Sequence, residues 1–127
     1  MSTSLSADHL ICLSHLRWDF VYQRPQHLLS RFAKKLKVYF YEEPIYDAPS
    51  DAYLHVSQRS GNVTVVVPHL PAGTDELRAT VILNDLFDRS MEEIDMQRTI
   101  FWYYTPMALT HTLNHRPKAI VYDCMDE

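Results

Sequence analysis

At 127 residues and 46% apolar content, the chain has the size of one domain with a proper core. Twelve basic and sixteen acidic residues give a net charge of -4 with no basic block, so no nucleic-acid partner is expected. The start MSTSLSADHL has neither the basic end nor the apolar core of a signal peptide, and no apolar run nears the roughly 18 residues that span a bilayer; a cytoplasmic protein is expected.

HLICLS (9–14) and KVYFYEE (37–43) are short and rich in β-formers. Between them RPQHLLSRFAKKL repeats apolar residues at Leu28, Leu29, Phe32, Ala33 and Leu36, a helical spacing, with Pro25 suited to a first helical position. YLHVSQRSGNVTVVVPHLP places two strand-like runs around Ser60, Gly61 and Asn62, which predicts a hairpin at the sheet edge. After turn residues 71–74, Ala79, Ile82, Leu83, Leu86, Phe87, Met91 and Ile94 follow helical periodicity, with Thr74 as the expected cap.

TIFWYYT (99–105) is apolar on both faces, as an interior parallel strand would be, and AIVYDCMDE forms the last strand after a short helix over 107–114. Strand and helix alternate without repeats. This predicts an α/β, Rossmann-like three-layer sandwich with a mainly parallel sheet, order 3-2-1-4-5, plus the edge hairpin. Cys12 and Cys124 sit in apolar runs and read as reduced core thiols.

The loop after the first strand, residues 14–24, then lies at the carboxyl end of a parallel sheet, where open α/β folds bind ligands. A nucleotide loop there would carry glycines for close backbone approach to phosphates, but the two glycines of the chain, Gly61 and Gly73, lie in other turns. Side chains must therefore do any binding. His15, Arg17 and Arg24 are suited to a carboxylate or phosphate, or else pair with a nearby acid such as Asp19. Trp18 and Tyr22 can stack on a sugar ring or cover the core. Glu42 and Glu43 end the second strand on one face, one toward a sugar hydroxyl and the other in a structural pair. Tyr103, Tyr104 and Thr105 end the fourth strand, before Pro106. His111 and His115 have the i, i+4 spacing of metal ligands but lack a third ligand, so no metal is expected.

The blocks CLSHLRWDFVYQRPQHLLSRFA, VYFYEEP, VVVPHLPAG, WYYTPMAL and VYDCMDE together resemble the N-terminal half of bacterial GT-B glycosyltransferases. They are similar to glycosyltransferase family 4 and its teichuronic-acid and xanthan-type glucuronosyltransferase relatives. The resemblance implies that residues 1–127 form one Rossmann-like domain that receives the acceptor, a cell-envelope polysaccharide or lipid-linked glycan. It implies no cofactor: a facing C-terminal GT-B domain, absent from a chain ending at Glu127, would hold the nucleotide-sugar donor. The chain reads on that basis as a fragment, inactive alone, cytoplasmic and in peripheral contact with the membrane through a lipid-linked acceptor. The acceptor-binding set it implies is His15, Arg17, Trp18, Asp19, Arg24, Glu42, Glu43 and Thr105. Asp123 and Asp126, at the end of the last strand, are the catalytic candidates, one of them a base if the enzyme inverts. The alternative for Asp123 is a structural role in ordering the crossover. Two other classes stay open: a non-catalytic α/β interaction module beside an envelope-sugar enzyme, and a flavodoxin-like or receiver-like signalling domain. The second is weakened by a first loop with neither a phosphate cradle nor an acidic pair.

Overall fold

The computed structural model describes residues 7–15, 17–18, 29–59, 61–105, 108–109, 112 and 114–123. The run HLICL forms β1 (His9–Leu13), whose last four residues are buried, the pattern of a strand covered on both faces. It pairs in parallel with β2 (Lys37–Tyr41) on one side and with β6 (Thr99–Tyr103) on the other. β7 (Ala119–Tyr122) continues the sheet in parallel beyond β6.

On the other side of β2 lies β5 (Val63–Pro71), parallel to it, and β4 (Tyr53–Gln58) runs antiparallel along the outer edge of β5. Counting this hairpin as the third strand, the order is the predicted 3-2-1-4-5, with β4 at the edge. The turn between β4 and β5 uses Gly61 at φ 70, a left-handed conformation that costs glycine little. One strand was not anticipated: β3 (Ile45–Ala48), also parallel to β5. His69 of β5 is in register with Tyr53 of β4 and with Ile45 of β3, so β3 lies opposite β4 and prolongs the line of β2. The run EEPIYDA conceals it, because Pro44 and three acids interrupt the pattern and only Ala48 of the strand is buried.

Strand alternation divides the core in two. Leu10, Cys12, Val38, Phe40, Val63, Val65 and Ile100 face one side, where Leu29, Ala33 and Leu36 pack from a helical turn over 29–32 (α1) and the residues after it. Ile11, Leu13, Tyr41, Val66, Phe101 and Tyr103 face the other, against Phe87 and Met91 of α2 (Glu76–Ser90) and the turn after it. This makes three layers. The cap of α2 is Asp75, not the expected Thr74: its carboxylate accepts the Arg78 N–H at 2.8 Å, while Thr74 donates its hydroxyl to the Pro71 carbonyl at 2.6 Å. The helix stops at Ser90, earlier than its apolar pattern, yet Met91 and Ile94 still reach the core from the turn that follows. Half of the positions of the expected helix over 107–114 lie outside the described residues, and so does Pro25.

Candidate functional site

The register sets the site. Leu13 of β1 is level with Tyr41 of β2 and with Tyr103 of β6, so the residues that follow each strand emerge together at one edge of the sheet. Ser14 donates its amide to the Tyr41 carbonyl at 3.0 Å, Glu42 to Val66 at 2.9 Å and Tyr104 to Leu13 at 2.8 Å, which fixes the start of each loop.

Glu42 holds the first loop to this edge. Its side chain is 6% exposed, and the carboxylate accepts the Trp18 N–H at 2.8 Å and an Arg17 N–H at 3.1 Å. Arg17 also donates to the Glu43 carbonyl at 2.8 Å. A buried carboxylate is tolerable because two donors, one of them cationic, replace its water. Glu42 is thus the structural acid of the pair, and Arg17 is bound to it. The two acids differ in setting: Glu43 is exposed while Glu42 is buried.

Between this edge and α2 opens a cavity of about 430 Å³. Ser14, His15, Glu42, Glu43 and Thr105 line it from the strand ends, Pro44, Tyr46, Leu54 and Pro68 from the β3, β4 and β5 side, and Glu76, Ala79, Thr80, Leu83, Leu86 and Phe87 from α2. Much of the wall is apolar; among the described lining residues there is no lysine or arginine. Tyr41 borders it with its hydroxyl bonded to Ser90 at 2.7 Å, and burial pushes that phenol up to about 12.

Of the residues expected to bind, His15, Glu42, Glu43 and Thr105 come together in this cavity. Trp18 does not: it is 6% exposed and packs edge-on against Phe40 with ring centroids 5.1 Å apart, which is the core-covering alternative. Asp19, Tyr22, Arg24, Pro106, His111 and Asp126 lie outside the described residues. Asp123 follows Tyr122 at the end of β7 and donates its amide to Tyr103 at 2.8 Å, without lining the cavity. It shares the alternation of Val121, whose side chain packs in the Cys12 cluster, and burial, joined by the Asp123 charge, pushes the Cys12 thiol well up. His115 bonds Asp88 at 2.6 Å, and no cluster of three metal-ligating residues occurs among the described residues.

The α2 wall escaped the sequence reading, which treated that helix as core alone. A signal was present. A helix that follows a strand of a parallel sheet runs back from the carboxyl edge, so its first turns border any site there. Glu76, Thr80 and Leu83, spaced four and three apart, then share one face.

No protein-family model matches the chain, and no curated protein matches it. Among solved structures it is similar to trehalose-6-phosphate from E. coli bound with UDP-2-fluoro glucose, at 9% identity and a TM-score of 0.43, over 76% of this chain. The chain spans 27% of that chain's length. At that score the likeness bears on neither fold nor function, which rest on the strand order and the side chains at the sheet edge. No described helix is long and apolar enough to cross a membrane.

Proposed function

We propose that this chain is the acceptor-side domain of a glycosyltransferase, transferring sugar from a nucleotide donor to a cell-envelope glycan or lipid-linked acceptor. A facing Rossmann-like domain would hold the donor. The observation that carries the reading is the cavity at the carboxyl edge: it is built from side chains and lacks both a glycine cradle and a described cation for phosphates. The N-terminus of α2 borders it, but Asp75 and Glu76 already occupy that positive end. Carboxylates and hydroxyls such as Glu43 and Thr105 suit sugar hydroxyls, which donate and accept. The sequence blocks that resemble teichuronic-acid and xanthan-type glucuronosyltransferases point the same way.

An inverting transfer needs a base at the acceptor hydroxyl. Asp126 and Asp123 are the candidates for that role on sequence grounds, with a structural part in ordering the edge as the alternative for Asp123. In the transferase that carries this chain, Glu43→Gln and Thr105→Val should raise the acceptor KM several-fold with the donor KM unchanged. Asp126→Asn should lower kcat at least about 100-fold. Steady-state kinetics with both substrates varied reads all three. A rise in donor KM alone would place the nucleotide in this half and overturn the reading.

A further inference from the structure

The sheet carries a second group of side chains, on the face turned away from the cavity. Strand alternation puts Val63, Val65, Val67 and His69 of β5 on the α1 side, and Tyr53 of β4 stands level with His69 on that side. Pro68 and Leu54, one residue along each strand, point the other way and line the cavity. His69 donates from Nδ1 to the carboxylate of Asp47 on β3 at 2.6 Å. The same imidazole lies flat against the Tyr53 ring, with centroids 4.8 Å apart and planes 2° from parallel. Side chains from three neighbouring strands thus hold one phenol ring in place.

Among the described strands β4 pairs with β5 alone, so the face of Tyr53 not covered by His69 turns outward at the sheet edge, and the residue is 43% exposed. His55, exposed and about 7 Å further along the same side of β4, meets the His69 ring edge-on at 6.2 Å. A ring held this way has already lost the freedom that binding would remove, which makes it a preorganised contact. Its surroundings decide what fits. The core of a protein interface would place more apolar side chains around Tyr53, but the exposed residues beside it on this face are Asp47 and His55. A single aromatic face with hydrogen-bonding neighbours matches a sugar ring, which has a face of C–H groups and a rim of hydroxyls. The electron-rich ring attracts the slightly positive C–H groups, and an imidazole can donate to or accept from a hydroxyl.

We propose that Tyr53, held by His69 and Asp47 and flanked by His55, is a stacking platform for one pyranose unit of a glycan. The platform goes beyond the reading of the cavity as an acceptor site and does not depend on it. One stacked ring with one hydrogen-bonding neighbour gives a dissociation constant of about 1–10 mM.

The test titrates the isotopically labelled 127-residue chain with cellotetraose and follows the amides by NMR. Those of Tyr53, His55 and His69 should shift together and saturate with that constant. Tyr53→Phe keeps the ring and should bind within about twofold of the parent, whereas Tyr53→Ala should weaken binding at least about tenfold. Asp47→Ala frees His69 and should weaken binding about threefold, and Asp47→Asn, which keeps an oxygen acceptor for Nδ1, should restore most of the loss. Circular dichroism first shows that each variant is folded. Unchanged affinity in Tyr53→Ala, tighter binding of tetramethylammonium than of cellotetraose, or no shift up to about 20 mM would each overturn the platform. Shifts confined to Leu83, Leu86 and Phe87 would overturn it as well, while supporting the cavity as a sugar site. Micromolar binding of UDP-glucose would do the reverse, removing the acceptor reading and leaving the platform standing.

Discussion

Removing the Glu42 carboxylate tests the device that fixes the first loop to the sheet edge. In Glu42→Ala the Trp18 N–H loses its 2.8 Å acceptor and Arg17 loses the carboxylate at 3.1 Å, both at a side chain 6% exposed. A hydrogen bond to a charged group is worth about 1.5–3 kcal/mol, and leaving the amide unsatisfied adds to its loss. Arg17 is 26% exposed, so water recovers part of its share. The expected cost is about 2–4 kcal/mol, a sizeable part of the roughly 5–15 kcal/mol that holds a domain together. For a chain of this size that lowers Tm by about 8–15 °C. Glu42→Gln keeps an acceptor for the amide and should cost only about 1–2 kcal/mol. Urea unfolding of Glu42→Ala, Arg17→Ala and the double variant should give a coupling energy of at least about 0.5 kcal/mol. A Glu42→Ala cost below about 0.5 kcal/mol with no coupling to Arg17 would refute the tie, since surface substitutions behave that way.

Trp18→Ala should destabilise by about 3–5 kcal/mol in urea unfolding, as a buried aromatic does; a near-neutral result would return Trp18 to a ligand-stacking role. At Gly61, φ is 70 and a methyl group would meet open space, so Gly61→Ala should cost about 1–2 kcal/mol from backbone conformation alone, and a neutral result would contradict the hairpin turn. Burial raises the Tyr41 phenol to about 12 in the folded chain against 10.0 for the free group. Below pH 10 both states hold the proton; between about pH 10 and 12 the folded state keeps it while the unfolded chain releases it, so stability should fall by up to about 2–3 kcal/mol. Tyr103 and Cys12, also shifted upward by burial, act in the same direction. Unfolding midpoints at about pH 9 and pH 11 measure the drop, and Tyr41→Phe should make it shallower; an unchanged drop would mean that Tyr41 is not buried as described.

Much of the layer was legible because its strands are continuous apolar runs. HLICL and TIFWY have only one physically sensible place, between other strands and under helices, and they stand at the centre. The strand Ile45–Ala48 was not legible, because a partly exposed extension past Pro44 leaves no periodic trace. The position of the cavity was legible, since His15, Glu42, Glu43 and Thr105 follow strands whose ends are in register. Which of two adjacent acids would be buried was not: that depends on where the Trp18 amide and Arg17 lie, a relation across 24 and 25 residues of sequence. The α2 wall required knowing how closely the helix start approaches the edge.

The central claim is that this carboxyl edge serves an acceptor and leaves the nucleotide to another domain. Calorimetric titration of the chain with UDP-glucose tests it most directly. The expected dissociation constant is about 1 mM or weaker, because the edge offers no described phosphate cradle. Micromolar binding, lost in Thr105→Val, would place the donor in this cavity and contradict the account.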